Sequence, residues 1–150
     1  MPNCSCAEHL RSEESLMRRD DGCVVMVSDG DGTGLTLQKL LKEAGVRVQM
    51  YRTCAQVRQV LDGPNSPTVL FSDTSLPDGT WIDVLTLVLE RNRHVPVIVV
   101  SRVVDINLYI NALEKGASDF IVPPFYLQDI WHVLKCAIKH PEAEKRLAAA

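Results

Sequence analysis

Three polar side chains in this chain stand where short apolar runs end. Asp29 follows the run from Cys23 to Val27, Asp73 follows Val69 to Phe71, and Ser101 follows Val95 to Val100. Brief valine-rich runs of this kind read as buried strands, so each polar group leaves a strand at its carboxyl end. With those strands side by side, two carboxylates and a hydroxyl meet on one rim. Paired acids repel each other unless a cation sits between them. Mg2+ suits such a site, because it accepts one or two carboxylates, a carbonyl, water and a phosphate oxygen. A carboxylate beside that ion is a chemically competent phosphoryl acceptor.

The elements that must position these groups lie between them. Leu37, Leu40, Leu41 and Ala44 recur at helical spacing and Gly45 supplies the stop. Val46 to Tyr51 alternates as a second strand, and Cys54, Val57, Val60 and Leu61 mark a short helix closed by Gly63–Pro64. Thr80 with Asp83 three residues on is an N-cap signature, opening a helix through Val84, Leu85, Val88 and Leu89. Ile106, Tyr109, Ile110 and Leu113 form a fourth stripe that stops at Gly116. Phe120 to Val122 is a fifth strand, and Leu127, Ile130, Leu134, Ala137 and Ile138 stripe a last helix limited by Pro141. Five strand–helix units with short links predict an α/β domain: a parallel sheet covered on both faces, its connections right-handed. In such sheets ligands gather at the carboxyl ends of the strands, near the reversal of strand order.

The 150 residues suit one domain. Residues 1–21 are polar and aperiodic apart from a short helical pattern around Glu13 to Arg19, and read as an N-terminal extension. Residues 22–140 form the domain and 141–150 a charged, alanine-rich tail. A net charge of −3 with both signs dispersed offers no basic stripe for phosphate backbones, so direct nucleic-acid binding is not expected. The longest apolar run, Val95 to Val100, contains a proline and falls far short of the ~20 residues a bilayer span needs. With no signal pattern at the N-terminus, the expected location is cytoplasmic. The scattered cysteines Cys4, Cys6, Cys23, Cys54 and Cys136 lack a disulfide rhythm. Cys4, Cys6 and His9 have the spacing of a metal clip, but a fourth ligand would have to come from elsewhere, and the segment reads as a tail.

The stretch V-L-F-S-D-T-S-L-P-D-G, then Ser101 with Asp105, then A-L-E-K-G-A-S-D-F-I-V-P-P-F, resembles the receiver domains of two-component response regulators over residues 23 to 139. The resemblance implies a flavodoxin-like (βα)5 fold with a five-stranded parallel sheet in the order 2-1-3-4-5. It implies Asp73 as phosphoacceptor, and Asp29, Asp73 and the Ser75 carbonyl as Mg2+ ligands. Ser101 takes the position of the switch hydroxyl and Phe120 that of the switch aromatic. The implied partners are a sensor histidine kinase or phosphotransfer protein as donor. A homodimer or an output domain is implied on the face of helix four, strand five and helix five. Tyr109, Phe120 and Trp131 belong to that face, either exposed for association or buried in the core.

The chain departs from the family pattern at four places. The acidic pair after strand one is Ser28–Asp29, with Asp31 as a candidate substitute carboxylate. The lysine before the last proline is replaced by Pro123, ahead of Pro124. Arg102 follows the switch hydroxyl, where it is either a phosphate contact or an exposed arginine at a helix start. Trp81 stands where glycine is frequent, to shield the site or to cap the third helix against the core. Two alternatives to a phosphoacceptor switch follow. One is a pseudo-receiver, a protein-binding module independent of phosphorylation. The other comes from D-G-D-G-T after strand one, which looks like the first motif of haloacid-dehalogenase-type phosphatases with Asp29 as nucleophile; Ser101 and Lys115 would be its later motifs. An EF-hand reading of the same loop fails, because Leu40 occupies the position of the bidentate glutamate. The G-x-G-x-G run has neither the dinucleotide spacing nor a P-loop lysine.

Overall fold

The computed structural model describes residues 23–30, 32–64, 67–91 and 94–139. Asp31, the segment holding Cys4, Cys6, His9 and the helical pattern at 13–19, and the tail 141–150 with Pro141 lie outside the described residues. In chain order the elements are β1 (Val24–Val27), α1 (Gly32–Glu43), β2 (Val48–Tyr51), α2 (Cys54–Asp62), β3 (Val69–Asp73), β4 (Ser75–Leu76), β5 (Gly79–Thr80), α3 (Trp81–Glu90), β6 (Val97–Val100), α4 (Ile106–Glu114), β7 (Asp119–Ile121) and α5 (Leu127–Lys139).

Five strands form one parallel sheet in the order β2-β1-β3-β6-β7. With the β4–β5 hairpin set aside as a separate antiparallel pair, this is the expected 2-1-3-4-5 arrangement. The hairpin was not anticipated as strands. It is the L-P-D-G turn itself, closing Leu76 onto Gly79.

The central strands are continuous apolar runs because both faces of the sheet are covered. Val25, Val27, Leu70, Val97 and Val99 pack with Val57 and Leu61 of α2 and Val84, Leu85 and Val88 of α3. Their alternates Val24, Met26, Val69, Phe71, Ile98 and Val100 pack with Leu37 and Leu41 of α1 and Ile130 and Leu134 of α5. Period-two alternation thus makes one strand set serve two cores. Trp81 is buried in the first of them, which resolves its role as a core plug at the head of α3.

Helix ends follow the local chemistry. Thr80 caps α3 by accepting from the Ile82 N–H at 3.2 Å, while Asp83 accepts the Thr80 N–H at 2.8 Å, as the sequence predicts. Thr53 and Gln56 form a second capping box on α2. Asp78, from the hairpin turn, adds acceptors for the Cys54 N–H at 2.7 Å and the Ala55 N–H at 3.1 Å.

One expectation needs correction, and one open point is decided. The second strand starts at Val48 and not at Val46. Val46 closes α1 in a Schellman arrangement, its N–H on the Leu41 carbonyl and that of Gly45 (φ +82°) on Lys42, with the valine side chain buried beneath the helix end. The apolar stripe on α4, for which the sequence left both directions open, faces outward. Ile106, Tyr109, Ile110 and Leu113 are exposed; the helix docks through the small Ala112, with Leu108 half-buried beside it.

Candidate functional site

β3 lies at the centre of the sheet, and Asp73 is its last residue. Val27 of β1 pairs with Ser72, so Ser28 follows alongside Asp73 and Asp29 lies one residue beyond. On the other flank Asp73 pairs with Val100, and Ser101 comes next. The parallel register therefore delivers the ends of three strands to one rim, as their separate apolar runs implied. Asp29 is exposed on it, whereas Asp73 is 6% exposed and Ser28 and Ser101 are 3% exposed each.

Asp73 Oδ1 accepts the Thr74 N–H at 2.8 Å, and Oδ2 is enclosed with no hydrogen bond from the described residues. By strand alternation its side chain shares a face with Val69 and Phe71, and Ser28 shares the same face with Val24 and Met26. A narrow, partly open crevice runs along this face, lined by Met26, Val27, Ser28, Thr33, Gly34, Asp73 and Val100. Thr33 and Gly34 come from the first turn of α1. Ser28 Oγ accepts the Gly30 N–H at a long 3.4 Å, where Gly30 turns the chain with φ +88°. From sequence, Thr33 and Gly34 were read only as members of the D-G-D-G-T and G-x-G-x-G motifs, and Ser28 only as a missing acid. The signal was the glycine-rich run itself, which brings small residues and hydroxyls to the acceptor.

Ser101 extends the ladder through its N–H to the Ile121 carbonyl at 2.9 Å. Its hydroxyl is turned onto its own loop, donating to the Val103 carbonyl at 2.8 Å and accepting the Val103 N–H at 3.3 Å. It does not line the Asp73 crevice. Arg102 is exposed in that loop. Two strands from Asp73, Phe120 is half-buried, and its ring meets Tyr109 of α4 edge-on, with centroids 5.6 Å apart and planes at 88°. Trp131, the third aromatic in question, packs partly buried against the second core. Pro123 and Pro124 follow β7, joined by a cis peptide bond.

A site for Mg2+ is tested by its donors. Asp29 and Asp73 supply carboxylates. Ser75 follows Asp73 by two residues, on the first strand of the hairpin. The N–H groups of Thr80 and Trp81 opposite it are taken by Asp83 and by the Thr74 carbonyl at 3.4 Å, not by the Ser75 carbonyl. Carboxylates and a backbone carbonyl are hard oxygen donors of the kind this cation takes. Burial, with Asp78 adding to it, pushes the Cys54 thiol up to about 11.

Residues 24–135 match the family model described as the response regulator receiver domain. Among curated relatives, the DNA-binding transcriptional regulator NtrC of Proteus hauseri is 26% identical over 125 residues, covering 83% of this chain but 26% of NtrC. The response regulator protein TmoT of Ectopseudomonas mendocina is 24% identical over 141 residues, covering 94% of this chain and 60% of TmoT. The chain thus spans only part of the length of either relative. The non-phosphorylated receiver domain of HemR from Leptospira biflexa superposes with a TM-score of 0.64 at 26% identity, over 78% of this chain and 94% of that one.

Proposed function

The chain belongs to the response-regulator receiver domain family of two-component signalling, and from that premise we propose that it accepts a phosphoryl group on Asp73 and relays the event to the α4–β7–α5 face. The observation that carries this is the position of Asp73 at the end of the central strand, flanked by the ends of β1 and β6. In the transfer, a carboxylate oxygen of Asp73 attacks phosphorus. A P–O bond forms to give an acyl phosphate as the bond from phosphorus to the donor nitrogen or oxygen breaks, and the donor leaves with that electron pair. The donor in signalling is a sensor histidine kinase or a phosphotransfer protein. Asp29, Asp73 and the Ser75 carbonyl would hold Mg2+, which when bound supplies charge neutralisation of the phosphoryl oxygens. Asp31 is a further candidate ligand by sequence alone.

The response begins with the Ser101 hydroxyl. Its present partners are both on Val103, so turning it towards a phosphorylated Asp73 frees the loop at 102–104 that leads into α4. Arg102 travels with that loop and is a candidate phosphate contact. Val103 and Val104 are 66% and 76% exposed, and Ile106, Tyr109 and Ile110 continue the apolar surface along α4. Such a surface favours association with an output domain or a second copy. The Phe120–Tyr109 contact ties β7 to it.

A second reading, a binding module independent of phosphorylation, draws on Pro123 in place of a lysine and on the same exposed stripe. One assay separates the two. Incubation with acetyl phosphate and Mg2+ followed by intact-mass measurement should show a labile adduct of about 80 Da, absent from Asp73→Asn. No adduct under saturating donor would favour the binding module.

A further inference from the structure

The crevice beside Asp73 has a composition that the acceptor role alone does not explain. Among the described residues, its lining holds the polar side chains Asp73, Ser28 and Thr33 and the apolar Met26, Val27 and Val100, with no cationic side chain. Ser28 is 3% exposed, and its Oγ is engaged only as the acceptor of the long Gly30 bond. A hydroxyl has one O–H to donate besides its lone pairs. That donor has no acceptor among the described residues, and the half-buried Thr33 hydroxyl makes no hydrogen bond among them. A buried donor left without an acceptor is unfavourable, so its retention beside an acceptor carboxylate calls for a ligand rich in oxygen.

Resting on Asp73 as the phosphoacceptor, we propose that the Ser28 and Thr33 hydroxyls bind the phosphoryl oxygens of phosphorylated Asp73, doing there what a lysine at position 123 would do. An ionised carboxylate at position 28 is acceptor-only and would repel those oxygens. Serine turns a repelling group into a donor, so the loss of the acid and the loss of the lysine form one compensated change. The first turn of the 12-residue helix α1 carries no acidic residue and adds its partial positive end to the same side.

The test uses the whole chain with Ser28→Ala, Thr33→Val, the double variant, Ser28→Thr and Asp73→Asn. Two readouts are taken: the rate of adduct formation from acetyl phosphate with Mg2+, and the beryllofluoride concentration, at fixed Mg2+, that half-saturates the rise in melting temperature. Equal melting temperatures without ligand verify folding. A hydrogen bond to a charged group converts to roughly a ten- to hundredfold effect. The double variant should therefore form adduct at least about tenfold more slowly and need correspondingly more beryllofluoride, while Ser28→Thr stays near the parent chain. A double variant that behaves like the parent, with Asp73→Asn inactive, overturns this proposal and leaves the acceptor reading standing. Ser28→Thr as impaired as Ser28→Ala also overturns it, since the donor is then not what matters. A parent chain that gives neither adduct nor melting response overturns the acceptor reading, and this proposal with it.

Discussion

Phosphorylation of Asp73 should shift the 101–104 loop only partly, and Ser101→Ala should abolish even that shift. The Ser101 hydroxyl now donates to the Val103 carbonyl at 2.8 Å, and the return bond at 3.3 Å is too long to count for much. Giving up one neutral hydrogen bond costs about 1 kcal/mol, and a bond to a charged phosphoryl oxygen contributes about 1.5–3 kcal/mol. The difference, roughly 0.5–2 kcal/mol, is about a 2- to 30-fold change in the loop equilibrium. Moving a population from 1:99 to 99:1 needs about 5.5 kcal/mol, and no lysine at position 123 adds to the balance. Amide resonances of Val103 and Val104 followed by two-dimensional NMR during beryllofluoride titration should move part of the way to a new position, in fast exchange. Ser101→Ala should hold them near the free position while leaving the mass adduct intact. A complete switch to a single new set of resonances, unaffected by Ser101→Ala, would show that the energy enters elsewhere and refute the role given to this hydroxyl.

Two further outcomes test the scaffold. Phe71 is fully buried on β3 between α1 and α5, so Phe71→Ala should destabilise the domain by about 3–5 kcal/mol in urea denaturation. Asp78 is held below the ordinary carboxylate range, first by the Cys54 N–H and then by that of Ala55. A depressed folded-state value means that its contribution is present above the unfolded carboxylate pKa and lost as pH falls through the folded one. Asp78→Asn should therefore flatten the acid limb of a melting-temperature-versus-pH profile between about pH 5 and pH 2, and an unchanged limb would remove the cap from the account.

Much of the architecture was legible because it depends on local periodicity. Runs such as Val97–Val100 are short and β-branched, which favours buried strands, and Thr80 with Asp83 announces a helix start whatever surrounds it. The convergence of Asp29, Asp73 and Ser101 on one rim followed from strand ends alone, once the sheet was taken as parallel. Where sequence reading failed, a residue had two compatible uses. Val46 continues a strand pattern equally well as it closes a helix, and the closure prevails because Gly45 can take φ +82°. The α4 stripe has perfect helical spacing, yet spacing gives no direction. Ala112 faces inward because a small side chain lets the helix approach the sheet, which turns Ile106, Tyr109 and Ile110 outward.

Sequence by itself determined the fold class and the strand ends and singled out Asp73 as the candidate acceptor, since those depend on residue type and on neighbours a few positions away. Only the tertiary structure decided that Ser28 and Thr33 share a crevice with Asp73, that Ser101 is held by its own loop, and that Asp78 caps a helix starting 24 residues before it. These contacts join segments whose separation along the chain carries no periodic signal, and they exist only because parallel pairing and helix docking bring those segments within hydrogen-bond range.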